Sequence, residues 1–381
     1  MRLSWGKAMP KRINGEGTIW QDKRGLWRGE ITLGYEEIDG KKKRIKKTLS
    51  SKSKEELLRK MNTEHHRIDR NIIIKNSNYT VAEWVKFWLK NYKVNAIKPK
   101  TYDSYEYALK HIEKSIGDMH LNKIRPDNIQ HFYNQMKKNG LSQNTIRIVH
   151  ATLSQALDQA IKSEFIYTNP CASTIRPKST KRKAEAMTVQ HQENFVACCG
   201  ESTYHQFFIF LLNTGVRLGE GQSLAWSDIN FEKKIISINK TVSVVANRDE
   251  DATARTKTII DTTKTAHSTR NIPMNVTVEK ILRSLEAIRR DNVFVFSSRN
   301  GTILSARNIT RAYKNLLASA GLPNTYTIHT TRHTFATRLL EKGVNPKTAS
   351  ELLGHSSVQI TLDLYSHILP EIKSEAVNLL D

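Results

Sequence analysis

The spacing of apolar residues changes along the chain and separates segments of different secondary structure. Residues 14–50 alternate polar and apolar positions in short runs broken at Gly25, Gly34 and Asp39-Gly40, a pattern typical of short antiparallel strands. From residue 79 onward the apolar positions recur every three or four residues, as on one face of a helix. The chain has 381 residues, more than one hydrophobic core usually serves. We therefore expect a mainly α-helical protein with small β elements and at least three domains.

The first segment is predicted to be a three-stranded sheet in an N-terminal β domain, residues 1–52. A sheet of this size buries little by itself, so we expect one face to bind a partner. Its second half carries the basic run KKKRIKK at residues 41–47, and a β-ribbon can read DNA in a groove. Such a run can also be a solvated face. The candidate DNA contacts in this domain are Trp20, Trp27, Lys42, Lys43 and Arg44.

The second segment is predicted to be helical throughout. Ser53 and Glu56 have the spacing of a capping box, so a helix begins there and residues 53–78 are expected to be a spacer helix. Helical patterns then recur between proline or serine starts and glycine stops, which predicts a four- or five-helix bundle over residues 79–170. Its surface cations could be ordinary solvated residues or could follow DNA phosphates. The candidates named for DNA contact are Lys98, Lys100 and Arg147.

A stretch without any hydrophobic period joins this bundle to the rest of the chain. Residues 171–186 are rich in serine, proline and cations, which predicts a basic interdomain linker with Arg182 as a candidate DNA contact. Residues 187–381 contain helical patterns of apolar residues and two or three strand-like runs, and they are predicted to be a mainly α domain with a small sheet. The polar run at residues 246–264 is predicted to be a protruding hairpin.

The charge of the chain narrows the class of partner. Lysine and arginine number 60 against 37 aspartates and glutamates, a formal charge of +23, which favours a polyanion such as nucleic acid and, second, an anionic membrane surface. No apolar run approaches the roughly 18 residues that span a bilayer. The N-terminus lacks a signal-peptide core, and three cysteines fit a reducing cytoplasm. We expect no metal site, because Cys171, Cys198 and Cys199 lack zinc-ligand spacing and are predicted to be small buried hydrophobes.

Two polar motifs in residues 187–381 lie at a glycine and at a predicted turn. In TGVRLGE, residues 214–220, Gly215 is predicted to end a helix and Arg217 to begin the next, close to Glu220. In TTKTAHSTRNIP, residues 262–273, Lys264 is predicted to lie in a turn between two strands. Taken alone, the first motif is more typical of a structural arginine, and the second is more typical of a solvated lysine.

Three further motifs follow near the C-terminus. In TIHTTRHTFATRLLEKG, residues 327–343, His329 and Arg332 are three residues apart and share one helix face, while His333 is expected to point elsewhere. In LLGHSS, residues 352–357, His355 follows the helix-ending Gly354. In VQITLDLYSHILP, residues 358–370, Tyr365 lies on a predicted short helix, ten residues after His355. The helix-glycine-proline-helix order can also be interpreted as a helix-turn-helix DNA reader.

These five motifs, in this order, resemble those of the phage integrase family of tyrosine recombinases, and the resemblance covers nearly the whole chain. It implies that residues 187–381 form the catalytic domain, that 79–170 form a helical core-binding domain, and that 14–50 form an arm-binding sheet. It also implies cleavage and rejoining of DNA to integrate and excise a mobile element. The active-site positions that it implies are Arg217, Lys264, His329, Arg332, His355 and Tyr365.

The residue types suit this chemistry. A tyrosine hydroxyl has a pKa of about 10 and needs activation before it can attack phosphorus. Two guanidiniums can bind the non-bridging oxygens of a phosphate, a lysine can protonate the departing 5′ oxygen, and a histidine can accept the tyrosine proton. The division of roles between His329 and His355 stays open. A covalent 3′-phosphotyrosine keeps the energy of the broken bond, so no cofactor is expected.

The resemblance also implies the partners. They are double-stranded DNA attachment sites of core and arm type, a homotetramer formed on DNA, and, as further candidates, an excisionase and a host DNA-bending protein. Two other functions remain as alternatives: a DNA-binding regulator that keeps the fold without catalysis, and a type IB topoisomerase. The complete set of six residues favours an enzyme, and the N-terminal sheet and basic linker favour recombination.

Overall fold

The computed structural model describes residues 18–38, 41–69, 79–176, 185–200, 202–262, 269–289 and 292–365. Within these ranges, only the backbone is described for residues 33–38, 41–45, 64–69, 364 and 365. The chain forms two compact units, Met1–Ser179 and Thr180–Asp381. In the part of the chain that the structure describes, no helix has the length and apolar character that crossing a membrane requires.

The N-terminal strands form the predicted antiparallel sheet, with order β1-β2-β3. Gly34 was expected to break a strand, but it lies within β2 at a shift in the register to β3. A glycine at such a bulge bends the strand without ending it. The elements are β1 Thr18–Gln21, β2 Trp27–Ile38, β3 Lys41–Ser51 and the helix α1 Lys54–Asp69.

The helix expected to be a spacer instead packs on this sheet. Leu57 and Met61 of α1 form a buried cluster with Ile31 of β2. Gly29 lies under Met61 so closely that a Cβ there would meet the Met61 sulfur at 2.4 Å. The sheet needs this cover because two or three strands alone bury too little apolar surface. One face of the sheet is therefore occupied by the chain itself.

The predicted helical bundle is present in the same unit. Its core is aromatic at one end, where the Trp84 indole nitrogen donates to the Ala156 carbonyl oxygen at 2.7 Å. Proline stands at the first turn of two helices, where its missing N–H costs nothing. The helices are α2 Val81–Trp88, extended by a π-helical turn at Leu89–Lys93, α3 Pro99–Ile116, α4 Pro126–Lys138 and α5 Gln143–Lys162.

The second unit is mainly helical around the apolar helix α7, whose phenylalanines are completely buried. Its helices are α6 Val189–Ala197, α7 Thr203–Thr214, α8 Leu218–Gln222, α9 Val276–Ala287, α10 Ala306–Ser319, α11 Ile328–Glu341, α12 Pro346–Leu353 and α13 Val358–Tyr365. Its strands are β4 Ile229–Asn230, β5 Ile235–Ile238, β6 Lys240–Ala246, β7 Thr256–Thr262 and β8 Arg270–Pro273. The strands pair as a sheet β4-β5-β8 and as a separate hairpin β6-β7, which contains most of the predicted polar hairpin.

The cysteines are only partly as expected. Cys171 is buried, but Cys199 is half-buried and Cys198 is exposed. Cys198 follows the last turn of α6 as its C-cap, where the chain leaves the helix at the surface. The prediction of a small buried hydrophobe is therefore wrong for Cys198.

Candidate active site

Arg217 is held in place by the turn between α7 and α8. Gly215 ends α7 with a φ of +63°, and its N–H donates to the Leu211 carbonyl oxygen at 3.0 Å. A side chain there would force its neighbours to shift, because a Cβ would come within 2.4 Å of the Phe335 ring. The turn confirms the predicted helix end and leaves Arg217 as the N-cap of α8.

Glu220 orients Arg217 from both ends. Its Oε2 accepts the backbone N–H of Arg217 at 2.9 Å, and its Oε1 accepts a hydrogen bond from Arg217 Nη1 at 2.7 Å. The carboxylate is buried, with 3% of its side chain exposed, whereas 38% of the Arg217 side chain is exposed. The guanidinium is thus fixed on one edge and open on another.

Helix α11 contributes the second arginine of the motifs. Arg332 is buried, and its Nη1 and Nη2 donate to the carbonyl oxygens of Gly215 at 2.7 Å and Leu353 at 2.6 Å. His329 lies one turn earlier on the same helix. The expectation that His333 points elsewhere is wrong: its ring packs edge-on against that of His329, with centroids 4.8 Å apart. Residues four apart are neighbours on a helix, which explains the contact.

His355 follows the left-handed glycine that ends α12. Gly354 has a φ of +64°, and the His355 N–H donates to the Ser350 carbonyl oxygen at 3.1 Å, as in a Schellman motif. The ring nitrogen Nδ1 lies 2.9 Å from the hydroxyl oxygen of Thr361, a buried residue of α13. Tyr365 is the last residue of α13, one helical turn after Thr361 on the same face.

The charged groups of the site shift one another's pKa. Burial alone would raise the pKa of Glu220, but Arg270 and Arg217 outweigh burial and hold it below its usual value. Desolvation, with repulsion from Arg217 and Arg270, lowers the pKa of Arg332 to about 9, so the guanidinium is charged at neutral pH. The site therefore gathers three guanidiniums around one carboxylate.

The two histidines of the motifs are neutral at pH 7. Burial, followed by the cations Arg332 and Arg217, lowers the pKa of His355 to about 3. Burial, the His333 ring and Arg332 lower that of His329 to about 4. His329 is an exposed residue, so solvent screens the charges around it, whereas His355 is half-buried. A neutral imidazole can accept a proton.

Arg270 is part of this site although the motifs did not single it out. It begins β8, only 6% of its side chain is exposed, and its Nη2 donates to Glu220 Oε2 at 2.9 Å. Its Nε donates to the Leu352 carbonyl oxygen at 2.6 Å. The available signal was its place in TTKTAHSTRNIP, an arginine in a short strand next to the predicted catalytic turn.

Two of the predicted residues, Lys264 and Arg182, lie outside the described residues. The described residues on either side of Lys264 are the end of β7 at Thr262 and Thr269 before β8. Thr262 pairs with Lys240 of β6, and Lys240 Nζ forms an ion pair with Asp228 at 3.1 Å. Within the described ranges no three histidine, cysteine, aspartate or glutamate side chains are grouped to hold a metal ion.

The predicted DNA contacts of the first unit lie in its sheet and in its bundle. Trp20 is exposed on β1, but Trp27 packs with the cluster under α1 and has Lys54 Nζ 5.2 Å above its ring. Trp20 pairs with Arg28, the neighbour of Trp27, so the two tryptophans lie on opposite faces of the sheet. In β3, Lys42, Lys43 and Arg44 have only their backbone described; in the bundle, Lys98, Lys100 and Arg147 are exposed.

Known proteins are similar to this chain in sequence. Residues 181–371 match the profile of the Phage integrase family, and residues 80–137 match the phage integrase N-terminal SAM-like domain. A protein named "Tyrosine recombinase XerC-like" from Caldanaerobacter subterraneus subsp. tengcongensis is 28% identical, over 93% of this chain and 95% of that protein. The ICEBs1 integrase of Bacillus subtilis is 22% identical over 94% of this chain and 98% of its own length.

Solved structures show the same fold. The Tn1549 transposon integrase in complex with a circular intermediate DNA superposes with a TM-score of 0.68 at 24% identity, over 79% of this chain and 100% of that one. A lambda integrase tetramer bound to a Holliday junction superposes with a TM-score of 0.59 at 19% identity, over 93% and 96% of the two chains. These likenesses agree with a mainly α fold that carries small sheets.

Proposed function

This chain belongs to the phage integrase family and is a site-specific DNA recombinase, and on that premise we propose that it cleaves and rejoins DNA through a 3′-phosphotyrosine at Tyr365. The proposal rests above all on the convergence of Arg217 and Arg332 at the end of α12, next to His355. Glu220 supplies one negative charge for the guanidiniums gathered there, which leaves an excess of positive charge that favours a further anion. A DNA phosphate is such an anion.

The arginines stabilise the transition state. Each guanidinium can give paired hydrogen bonds to the non-bridging oxygens of the scissile phosphate, where charge builds up as the nucleophile attacks. Arg217 is open to solvent on one edge, and Arg332 remains protonated at neutral pH. Because both are anchored by backbone oxygens before DNA arrives, little reorganisation is needed.

Proton transfer completes the reaction. The Tyr365 oxygen forms a bond to phosphorus while the bond from phosphorus to the 5′ oxygen breaks. His355, neutral at pH 7 and contacting Thr361 through Nδ1, can take the tyrosine proton on Nε2. Lys264 gives a proton to the departing 5′ oxygen, and His329 hydrogen-bonds the phosphate. Attack by the 5′ hydroxyl of a partner strand reverses these steps and joins the strands.

The partners follow from the family and the charge. We propose that the chain integrates and excises a mobile element at double-stranded attachment sites, with its bundle on core-type and its N-terminal sheet on arm-type sequences. The lambda integrase binds a Holliday junction as a tetramer, which supports a DNA-bound tetramer here. An excisionase and a host DNA-bending protein are the further proposed partners, and the cytoplasm the proposed location.

Trapping the covalent complex tests the proposal. The purified protein is incubated with a nicked attachment-site duplex, so that the short strand released by cleavage diffuses away, and the products are run on a denaturing gel. Wild type should give a protein-DNA band that carries the label placed on the 5′ side of the cut strand. Tyr365→Phe should give none, whereas Tyr107→Phe, which alters an exposed tyrosine of the bundle, should give the wild-type band. No wild-type band, or a band with Tyr365→Phe, contradicts the proposal.

A further inference from the structure

Three arginines cap three consecutive carbonyl groups at the end of α12. Arg270 Nε donates to the Leu352 oxygen at 2.6 Å, Arg332 Nη2 to the Leu353 oxygen at 2.6 Å, and Arg217 Nη2 to the Gly354 oxygen at 3.1 Å. The last carbonyls of a helix have no partner within the helix, and they carry its partial negative charge. The end of α12 thus gathers the cations of the site directly before His355.

Arg270 differs from Arg217 in its exposure to solvent. Only 6% of its side chain is exposed, against 38% for Arg217. It also donates to Glu220 Oε2, the same oxygen that accepts the Arg217 backbone N–H, while Glu220 Oε1 holds the Arg217 guanidinium. Arg270 therefore connects the carboxylate that orients Arg217 to the helix end that precedes His355.

We propose that Arg270 is a positioning residue for DNA cleavage, which fixes the Glu220 carboxylate and thereby aims the Arg217 guanidinium at the scissile phosphate. This inference rests on the proposed function of Arg217 as a phosphate ligand. Without Arg270, Glu220 can rotate or take up a proton, and Arg217 loses the partner that holds its inner edge. A small misplacement of a phosphate ligand is enough to slow the reaction strongly.

Residue 270 needs the planar guanidinium of arginine, which carries N–H donors on more than one edge. Nε and Nη2 point in different directions, so one side chain reaches both the Leu352 oxygen and Glu220. A lysine ammonium at the same place keeps the charge but is a single point that cannot span both acceptors. Arg270→Lys is therefore expected to lie between wild type and Arg270→Gln in cleavage rate.

The test compares two substrates. Nicked attachment-site duplexes carry at the cleavage site either a normal phosphate or a methylphosphonate, in which a methyl group replaces one non-bridging oxygen and removes the negative charge. The rate of covalent complex formation is measured with wild type, Arg270→Gln, Arg270→Lys and Arg217→Gln. Arg283→Gln is the matched control, because it removes an arginine that is also paired with a glutamate, Glu279, but at the surface.

On the phosphate substrate, Arg270→Gln should be slower than wild type by about tenfold to a hundredfold, while DNA binding stays near wild type and thermal unfolding shows that the variant is folded at the assay temperature. On the uncharged substrate this deficit should shrink to about threefold or less, because less charge has to be stabilised, and the deficit of Arg217→Gln should shrink in the same way. Arg283→Gln should match wild type on both. A change that only damaged the fold would slow both substrates alike.

Two results would overturn the inference. Arg270→Gln could cleave the phosphate substrate at the wild-type rate, even where Arg217→Gln is slow, or Arg270→Gln could be slowed equally on both substrates. If Arg270→Gln does not fold, Arg270→Lys has to show the same substrate-dependent deficit, and its absence overturns the inference. Failure of the proposed function is distinct, since wild type would then form no covalent complex with the phosphate substrate.

Discussion

At the scale of single residues, the site holds three positively charged side chains close together. Arg217, Arg270 and Arg332 lie around Glu220, and one carboxylate cannot neutralise three cations. Carbonyl oxygens of Gly215 and of the α12 end provide the remaining acceptors. These oxygens are dipoles and not full charges, so the site keeps an excess of positive charge. A bound phosphate would supply the missing anion.

Arg332→Lys tests whether the fork of the guanidinium matters beyond its charge. A lysine cannot donate to Gly215 and Leu353 at once and also present two N–H groups to a phosphate. We expect single-turnover cleavage to slow by about a hundredfold to a thousandfold, the usual effect of losing a transition-state donor. Binding to the same duplex, measured by gel shift, should change far less. A variant that cleaves at the wild-type rate would contradict this role.

The half-buried histidines His355 and His333 predict how stability depends on pH. The pKa of His355 falls from 6.5 in the unfolded chain to about 3 in the folded one, and that of His333 is lowered too, both first by burial. Above about pH 6.5 neither state takes up the proton, and the stability contribution is complete. As pH falls below that value, the unfolded state binds protons that the folded state excludes, so the unfolding free energy decreases.

Urea unfolding of wild type between pH 7.5 and pH 5.5 measures this slope. This window lies above the range in which most carboxylates titrate. His355→Gln should unfold with a shallower pH dependence, and His120→Gln, at a histidine of the bundle, serves as control. A wild-type slope in His355→Gln would show that the ring is not held neutral.

At the scale of elements, helix ends build the site. The left-handed glycines Gly215 and Gly354 end α7 and α12, and their carbonyl oxygens accept hydrogen bonds from Arg332 and Arg217. Each glycine therefore both stops a helix and presents an acceptor. Because the carbonyls belong to tightly packed turns, the guanidiniums are held by rigid backbone.

Gly215→Ala tests this arrangement. A Cβ would strain a φ of +63° and would also collide with the Phe335 ring. Gly343→Ala is the matched control in the same unit, because its φ is +76° but nothing lies within 4 Å of the added Cβ. The control should lose about 1 kcal/mol of unfolding free energy from backbone strain alone, and Gly215→Ala roughly 2 kcal/mol or more. Equal losses in urea unfolding would contradict the steric part of this account.

The local elements could be predicted from the sequence, and the long-range contacts could not. Gly215, Gly354 and Pro346 mark helix ends through backbone preferences that act within a few residues. The partners of Arg270 are 50 and 82 residues away, and no local pattern specifies them. The packing of α1 on the sheet was missed for the same reason.

The position of His333 could have been predicted from local spacing. His333 follows His329 by four residues, and the helical spacing that placed Arg332 beside His329 places His333 there as well. Trp20 and Trp27 needed the strand register before their faces could be assigned. Polar site residues are the hardest to predict, because their positions are fixed by tertiary contacts and not by hydrophobic period.

At the scale of the whole molecule, the charge predicts a strong effect of salt. The chain carries a formal charge of +23, and its two units each expose cations. Each neutralised phosphate releases counterions, so a protein with several such contacts loses about a thousandfold or more in affinity between 50 and 200 mM salt. Fluorescence anisotropy with a labelled attachment-site duplex measures the slope. A nearly flat dependence would contradict binding through phosphates.

The most direct test of the central claim is to locate the DNA on the protein. Covalent complex from the nicked duplex is digested with nuclease and trypsin and analysed by mass spectrometry. Cleavage after Lys347 and Lys373 releases a peptide, residues 348–373, that contains one tyrosine, Tyr365. The account predicts that this peptide carries a 3′-linked nucleotide on Tyr365. A nucleotide on any other residue, or none on this peptide when complex is present, would contradict it.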